Sequence, residues 1–320
     1  MILTVTLNAA LDVTYQVDQL QRGGSNRVLA TAGRAGGKGI NVSRVLHALG
    51  RPTVVTGLVG GQSGQALRFD LADAAIPDEL VPIAGETRRT VAVVDVQESD
   101  TTILLEPGPV VTATEWACFL ARFDGLLSSA DAVVLSGSLP PGLPVDTYAT
   151  LLRTARTHGV PAVLDTSGEP LLAALPEQPD LIKPNADELA AATGESDPLA
   201  AACRLRGAGA QTVVASLGVE GLIALTPEGA WRAKPPAPVV GNPTGAGDAA
   251  VAALALALAT GTPWPDTIPE AVALSAAAVA APLAGSFDPA LHRLLRTQVA
   301  VEELTAAHKS PSQGEPHPCP

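Results

Sequence analysis

Short apolar runs alternate with longer helical stretches through the body of this chain, and that alternation restricts it to few folds. Residues 2–7, 53–59, 132–135, 161–164, 180–182 and 212–215 read as buried strands. Residues 40–49, 66–75, 112–127, 145–158, 186–193 and 198–207 read as the helices between them. Strands that are apolar throughout need cover on both faces. The pattern therefore predicts an α/β fold, with a mainly parallel central sheet between two helical layers. Two regions break the rhythm. Residues 13–17 with 27–31, and 90–96 with 101–105, look like antiparallel pairs, and such a β-rich insert suits a lid or a dimer surface. Residues 245–260 and 266–282 form Ala-rich helices with few polar positions, which predicts deep burial. The reading is one domain over residues 1–307, with a small β lid from about 13–33 and 86–106, and a polar, Pro-rich tail over 308–320 expected to be disordered.

The bulk properties remove several function classes. A formal charge of −12 argues against nucleic acid or an anionic membrane as partner, since both require clustered Lys and Arg. Cys118, Cys203 and Cys319 show no paired spacing, so neither a disulfide framework nor a zinc site is expected. The N-terminal segment lacks a cationic region and a long apolar stretch, so no signal peptide is read. The longest apolar runs, near 249–259 and 276–283, are shorter than the ~20 residues of a membrane span. These readings together predict a soluble, cytoplasmic protein.

The most informative segment is Asn242-Pro243-Thr244-Gly245-Ala246-Gly247-Asp248-Ala249. Small residues directly before a long helix let backbone N–H groups turn toward one point, and the positive end of the helix dipole reinforces them as an anion hole. Asp248, inside that hole, is placed to take a proton from a hydroxyl as a phosphoryl group arrives. A tight turn with an Asp in the first helical turn would give the same pattern without catalysis. The echo of a dinucleotide fingerprint in Gly245-x-Gly247-x-x-Ala250 lies near the C-terminus rather than after a first strand, so that reading is rejected.

The second segment is Ala35-Gly36-Gly37-Lys38-Gly39-Ile40-Asn41-Val42. It is not a Walker A loop, because Gly39 stands where Ser or Thr should meet the metal. Gly37 and its neighbours permit close approach of a polar ligand, with Lys38 and Asn41 as donors. The plainer alternative is a glycine turn opening an ordinary helix.

These two segments, in this order and roughly two hundred residues apart, resemble the ribokinase-like carbohydrate kinases of the phosphofructokinase-B type. The likeness runs from Leu3 to about Leu295. Thr4-Val5-Thr6-Leu7-Asn8-Ala9-Ala10-Leu11-Asp12, Asn26-Arg27-Val28 and Gly85-Glu86-Thr87-Arg88 narrow it to the branch holding 1-phosphofructokinase, tagatose-6-phosphate kinase and the minor 6-phosphofructokinase. So do Ser136-Gly137-Ser138-Leu139-Pro140-Pro141-Gly142, Leu164-Asp165-Thr166-Ser167-Gly168-Glu169 and Ile182-Lys183-Pro184-Asn185-Ala186-Asp187-Glu188-Leu189.

The resemblance implies a ribokinase-like three-layer sandwich with a small β-sheet lid, using ATP and Mg2+ on a ketohexose phosphate. The best single expectation is conversion of fructose 1-phosphate to fructose 1,6-bisphosphate, with tagatose 6-phosphate and fructose 6-phosphate as runners-up and a kinase of an unphosphorylated sugar or a non-catalytic sugar-phosphate sensor as more distant alternatives. It implies that Asp248 is the base, with Gly245, Ala246 and Gly247 as the anion hole. Asp12 would hold sugar hydroxyls, Gly37, Lys38 and Asn41 would also bind the substrate, and Arg27, Arg88 and Ser138 would hold the phosphate already on the sugar. Lys183, Asn185, Ser216, Gly218 and Gly221 would face ATP, and Asn185 and Glu188 would hold magnesium through water. Asn185 with Glu188 is also a capping-box pattern, which is compatible with that role. The segment 216–221 would serve equally as a strand-to-strand turn. A homodimer joined through the lids is expected. Asn242-Pro243-Thr244 departs from the family's usual Asp-Thr or Thr-Val, and Pro243 removes a backbone donor there.

Overall fold

The computed structural model describes residues 1–98 and 100–304. The 308–320 tail lies outside them. The chain opens with β1 (Ile2–Thr6) and runs into the lid strands β2 (Ala10–Val17) and β3 (Val28–Gly36). It returns through α1 (Lys38–Ala48), β4 (Thr53–Val59), α2 (Gly61–Asp73) and the short β5 (Val81–Pro82). A second excursion makes β6 (Arg88–Asp95) and β7 (Asp100–Leu105). The repeating core follows as α3 (Ala113–Leu127), β8 (Ala132–Ser136), α4 (Thr147–Thr157), β9 (Ala162–Asp165) and α5 (Gly168–Ala174). It continues through β10 (Leu181–Ile182), α6 (Ala186–Thr193), α7 (Pro198–Gly207) and β11 (Thr212–Ser216). The last part holds β12 (Leu222–Leu225), β13 (Ala230–Lys234), α8 (Ala246–Thr260), α9 (Trp264–Val279), α10 (Pro289–Leu295) and β14 (Ala300–Glu303).

The large sheet has the order β14-β13-β12-β11-β10-β9-β8-β1-β4-β5. Pairing is parallel from β11 through β5 and antiparallel from β11 outward to β14. Alternate side chains divide the core into two layers, as the two-residue period of a strand requires. Leu3, Val5, Val133 and Leu135 face a layer containing Phe119, Phe123, Tyr148 and Leu151 from α3 and α4. Ile2, Val134, Val163 and Val214 face the other, built on α1, α8 and α9. The Ala-rich α8 and α9 are buried along much of their length, because methyl side chains let both pack closely on this face. This is the α/β three-layer arrangement that the strand and helix alternation predicts.

The smaller sheet has the order β3-β2-β6-β7. Both antiparallel pairs form as expected, and a parallel β2–β6 pairing unites them, which the sequence pattern does not show. The antiparallel extension β12–β14 and the short helices α5 and α10 likewise lie outside the sequence pattern. Gly218–Glu220 forms a single 3-10 turn between β11 and β12, so the strand-to-strand alternative for 216–221 describes its local form.

Candidate active site

Parallel strands direct their C-terminal ends toward one edge of the sheet, where ligands of open α/β folds collect. Here Asp165 ends β9, Lys183 follows β10 and Ser216 ends β11. Two helix N-termini converge on the same edge. α1 begins at Lys38 with Gly37 as its N-cap, so Lys38 and Asn41 lie in a first helical turn rather than in a loop. α8 begins at Ala246 with Gly245 as its cap, placing Asp248 in its first turn.

A cavity of about 930 Å³ spans this edge from the lid strands to α9. Asp12, Gly37, Lys38, Asn41 and Arg88 line its lid side. Lys183, Asn185, Glu188, Ser216, Gly218, Gly221 and the run Gly245–Asp248 line the rest. Ser138 lines an adjoining cavity of about 460 Å³, whose walls share Gly37, Lys38, Arg88 and Glu188 with the first. Arg27 lines neither. It is exposed just before β3, and the fold of a single chain does not bring it to the others.

Asp248 is 7% exposed, and its Oδ2 accepts a hydrogen bond from Asn41 Nδ2 at 2.8 Å. Burial first, and then the Asp165 carboxylate, push its pKa up to about 7; Asn41, Lys38 and Lys183 pull the other way. A carboxylate poised there can accept a proton near neutral pH.

The N–H groups behind the anion hole differ in one respect from expectation. Ala246 N–H donates to the Pro243 carbonyl at 3.1 Å, so it is engaged in the turn. Among the described residues, the N–H groups of Gly245, Gly247 and Asp248 have no acceptor and form the free set. A Cβ on Gly247 would lie 3.4 Å from Lys183 Nζ, which sets that ammonium beside the hole. Asn242 braces the approach: its Nδ2 donates to Pro282 O at 3.2 Å and its Oδ1 accepts from Thr244 N–H at 3.0 Å.

Asp165, which the sequence pattern marks only as part of the 164–169 motif, proves to be central. It is 1% exposed and lies 3.3 Å from Lys38 Nζ and 3.4 Å from Lys183 Nζ. Its Oδ2 accepts from Ser136 Oγ at 3.1 Å. Burial would raise its pKa, but Lys183 and Lys38 outweigh that and hold it low. A charged carboxylate at the end of a predicted buried strand was the available signal. Lys38 is in turn held protonated against burial by Asp165, Glu188 and Asp248. Two ammonium groups are thereby fixed on the cavity floor.

On the lid side, burial pushes the Asp12 pKa up, opposed by a hydrogen bond from Thr90 and the charge of Arg88. Arg88 Nε donates to Asn8 O at 3.1 Å and Nη1 to Glu106 O at 3.4 Å. Its Nη2 has no hydrogen-bond partner among the described residues, which leaves donors for a ligand. Asn8 Nδ2 donates to Ser138 Oγ at 3.1 Å, so Asn8 joins the two phosphate candidates, Arg88 through its carbonyl and Ser138 through its side chain.

Asn185 caps α6: its Oδ1 accepts from Glu188 N–H at 2.8 Å, and Glu188 Oε2 accepts from Asn185 N–H at 2.9 Å. No cluster of three or more His, Cys, Asp or Glu occurs among the described residues that could cage a metal. Glu188 is the hard-oxygen group left here, because Asp165, though its Oδ1 accepts no hydrogen bond, is ion-paired with Lys183 and Lys38. A carboxylate reaching a metal through water fits magnesium, which keeps several waters and takes phosphate oxygens as ligands.

Comparison with known proteins adds the family. The model of the pfkB family of carbohydrate kinases matches residues 5–291. A point mutant of phosphofructokinase-2 from Escherichia coli is 30% identical, with a TM-score of 0.87 over 93% of this chain and 98% of that one. A possible 1-phosphofructokinase from Thermotoga maritima is 30% identical, with a TM-score of 0.83 over 95% of this chain and 100% of that one. Arabidopsis thaliana ribokinase, at 21% identity, shares the fold with a TM-score of 0.74 over 92% of this chain and 98% of that one. A family match over residues 5–291, with two relatives of 30% identity covering nearly the whole chain, places the chain in the pfkB family of carbohydrate kinases, and it is therefore a phosphotransferase.

Proposed function

We propose that the protein transfers the γ-phosphoryl group of ATP to a hydroxyl of a ketohexose phosphate, with fructose 1-phosphate as the preferred acceptor. The single observation that carries the phosphosugar reading is Arg88. Its guanidinium is anchored by Nε and Nη1 beside Asp12, while Nη2 is left without a partner next to the Ser138 cavity. A free hexose has no use for such a cation. Tagatose 6-phosphate and fructose 6-phosphate are the runners-up. Escherichia coli phosphofructokinase-2 has been solved with fructose 6-phosphate, which supports a phosphorylated acceptor in this fold.

In this reading Asp12 and Asn41 orient the acceptor, and Asp248 takes the hydroxyl proton as the oxygen attacks phosphorus. The free N–H groups of Gly245, Gly247 and Asp248, with Lys38 and Lys183, stabilise charge on the moving phosphoryl oxygens. The ATP phosphates lie toward Asn185 and Ser216, and the base toward Val239, Val272 and Val279. Magnesium would be held through water by Glu188 and Asn185, with Asp165 behind, and would neutralise phosphate charge. The location we infer is the cytoplasm, where both substrates are found; no described helix is long and apolar enough to cross a membrane.

Replacing Arg88 by Ala tests the acceptor assignment. A charge-assisted contact to phosphate is worth about 1.5–3 kcal/mol, so the phosphosugar KM should rise roughly ten- to a hundredfold. The KM for ATP should hardly change. Arg88→Lys should recover only part, because an ammonium cannot reproduce the forked geometry. An equal rise in both KM values would contradict the assignment.

The lid carries exposed Val28, Leu29, Ile103, Leu104 and Leu105 on its edge strands β3 and β7. We infer that these edges join a second copy to form a homodimer. A tetrameric form of the Escherichia coli relative supports assembly in this family. Light scattering at micromolar concentration should give twice the chain mass; a fully active monomer would overturn the inference.

A further inference from the structure

Arg34 lies on β3 in the stem of the lid, directly opposite Asp12 on β2 in the antiparallel register. Its side chain leaves the lid and reaches the turn between α9 and α10. Nη1 donates to the Ala284 carbonyl at 2.8 Å, and Nη1 and Nη2 lie 3.4 and 3.3 Å from Ser286 Oγ. That turn backs the catalytic groups in two places. A Cβ on Gly245 would lie 2.8 Å from Ala284 Cα, so the cap of α8 rests on the turn. A Cβ on Gly285 would lie 3.1 Å from both Asn41 Cα and Asn41 Oδ1, so the turn also touches the residue that holds Asp248. A single guanidinium thus ties the acceptor side of the lid to the backbone that shapes the anion hole.

We propose that Arg34 is a positioning residue that couples acceptor binding at the lid stem to the setting of the anion hole. The proposal rests on the phosphosugar kinase reading, with the acceptor beside Asp12. An acceptor that draws β2 toward the core carries β3 with it, because the two are paired from Ala10↔Gly36 to Val17↔Val28. Arg34, already seated against Ala284 and Ser286, passes that movement to Gly245 and Asn41 and fixes them in their working positions. The forked geometry matters, since two nitrogens reach the turn and resist its rotation. The consequence is cooperative binding: acceptor and nucleotide each tighten the other by the same factor.

The test is a thermodynamic cycle on the full chain. The Kd of a non-hydrolysable ATP analogue with magnesium is measured with and without saturating fructose 1-phosphate. Coupling in the wild type should be roughly fivefold or more, the usual lower range for linked sites. In Arg34→Ala it should fall to about one, while each ligand alone binds within roughly twofold of wild type. Arg34→Lys, with one cationic head, should restore part of the coupling. If Arg34→Ala does not fold, Ser286→Ala removes the shared hydroxyl from the other end and should lower the coupling on its own. Unchanged coupling in a folded variant overturns the proposal, as does weakened binding of each ligand alone with the coupling intact. If fructose 1-phosphate and the other ketohexose phosphates fail to bind the wild type, the acceptor reading falls and takes this proposal with it.

Discussion

Asp248→Asn should lower turnover by at least about 10²–10⁴-fold, the range expected when a general base is lost. Asn keeps the size of the side chain and still accepts the hydrogen bond from Asn41, so substrate and ATP affinities should move little. Wild-type kcat/KM should fall as pH drops through about 7, because protonated Asp248 cannot accept the hydroxyl proton. The residual activity of the variant should lack that limb. The folded pKa of Asp248 lies above its value of 3.8 in an unfolded chain, so the folded state binds the proton more tightly. Its destabilising contribution is therefore absent below about pH 4 and complete above about pH 7. Asp248→Asn should raise the unfolding free energy at pH 8 by on the order of 1–4 kcal/mol, with little gain at pH 4. More than about a tenth of wild-type turnover remaining in the variant would remove Asp248 from the role of base.

Gly245→Ala should cost about 10²–10³-fold in kcat, comparable to losing an oxyanion-hole donor. Gly245 has φ +87°, a left-handed conformation that an L-residue adopts at a cost of about 1–2 kcal/mol. The added Cβ would also stand 2.8 Å from Ala284 Cα, and backbone cannot swing aside as a flexible side chain can. The start of α8 must shift, and the N–H groups of Gly245, Gly247 and Asp248 shift with it. Asp12 and Arg88 sit on β2 and β6, outside α8, so the phosphosugar KM should change by much less than kcat. Steady-state kinetics with a circular dichroism check of folding measures this. Normal kcat in a folded Gly245→Ala enzyme would mean that these N–H groups do not stabilise the transferring group.

The sequence shows most of the central sheet because its strands are short, apolar and separated by helices of ordinary length. The Ala-rich pair α8 and α9, and the capping box at Asn185 and Glu188, are local patterns and equally legible. What escapes is whatever depends on distant pairing. The parallel β2–β6 pairing joins two hairpins far apart in the chain, and neither hairpin alone specifies it. β13 carries Arg232 and Lys234 and alternates in burial, which hides it from a search for buried strands. The Asp165 carboxylate acquires its role only where Lys38, Lys183 and Ser136 meet. Ala246 offered a small residue in the right place, but its N–H had already closed the turn on Pro243. Arg27 looked like a partner of Arg88, yet within one chain it lies exposed beyond both cavities.

Release of ADP, followed across fructose 1-phosphate, fructose 6-phosphate, tagatose 6-phosphate, free fructose and ribose at saturating MgATP, tests the central claim most directly. The account predicts that a ketohexose phosphate, fructose 1-phosphate first, has a kcat/KM at least roughly tenfold above that of any free sugar, as one charge-assisted contact alone would give. Equal or better turnover of free fructose or ribose would contradict it.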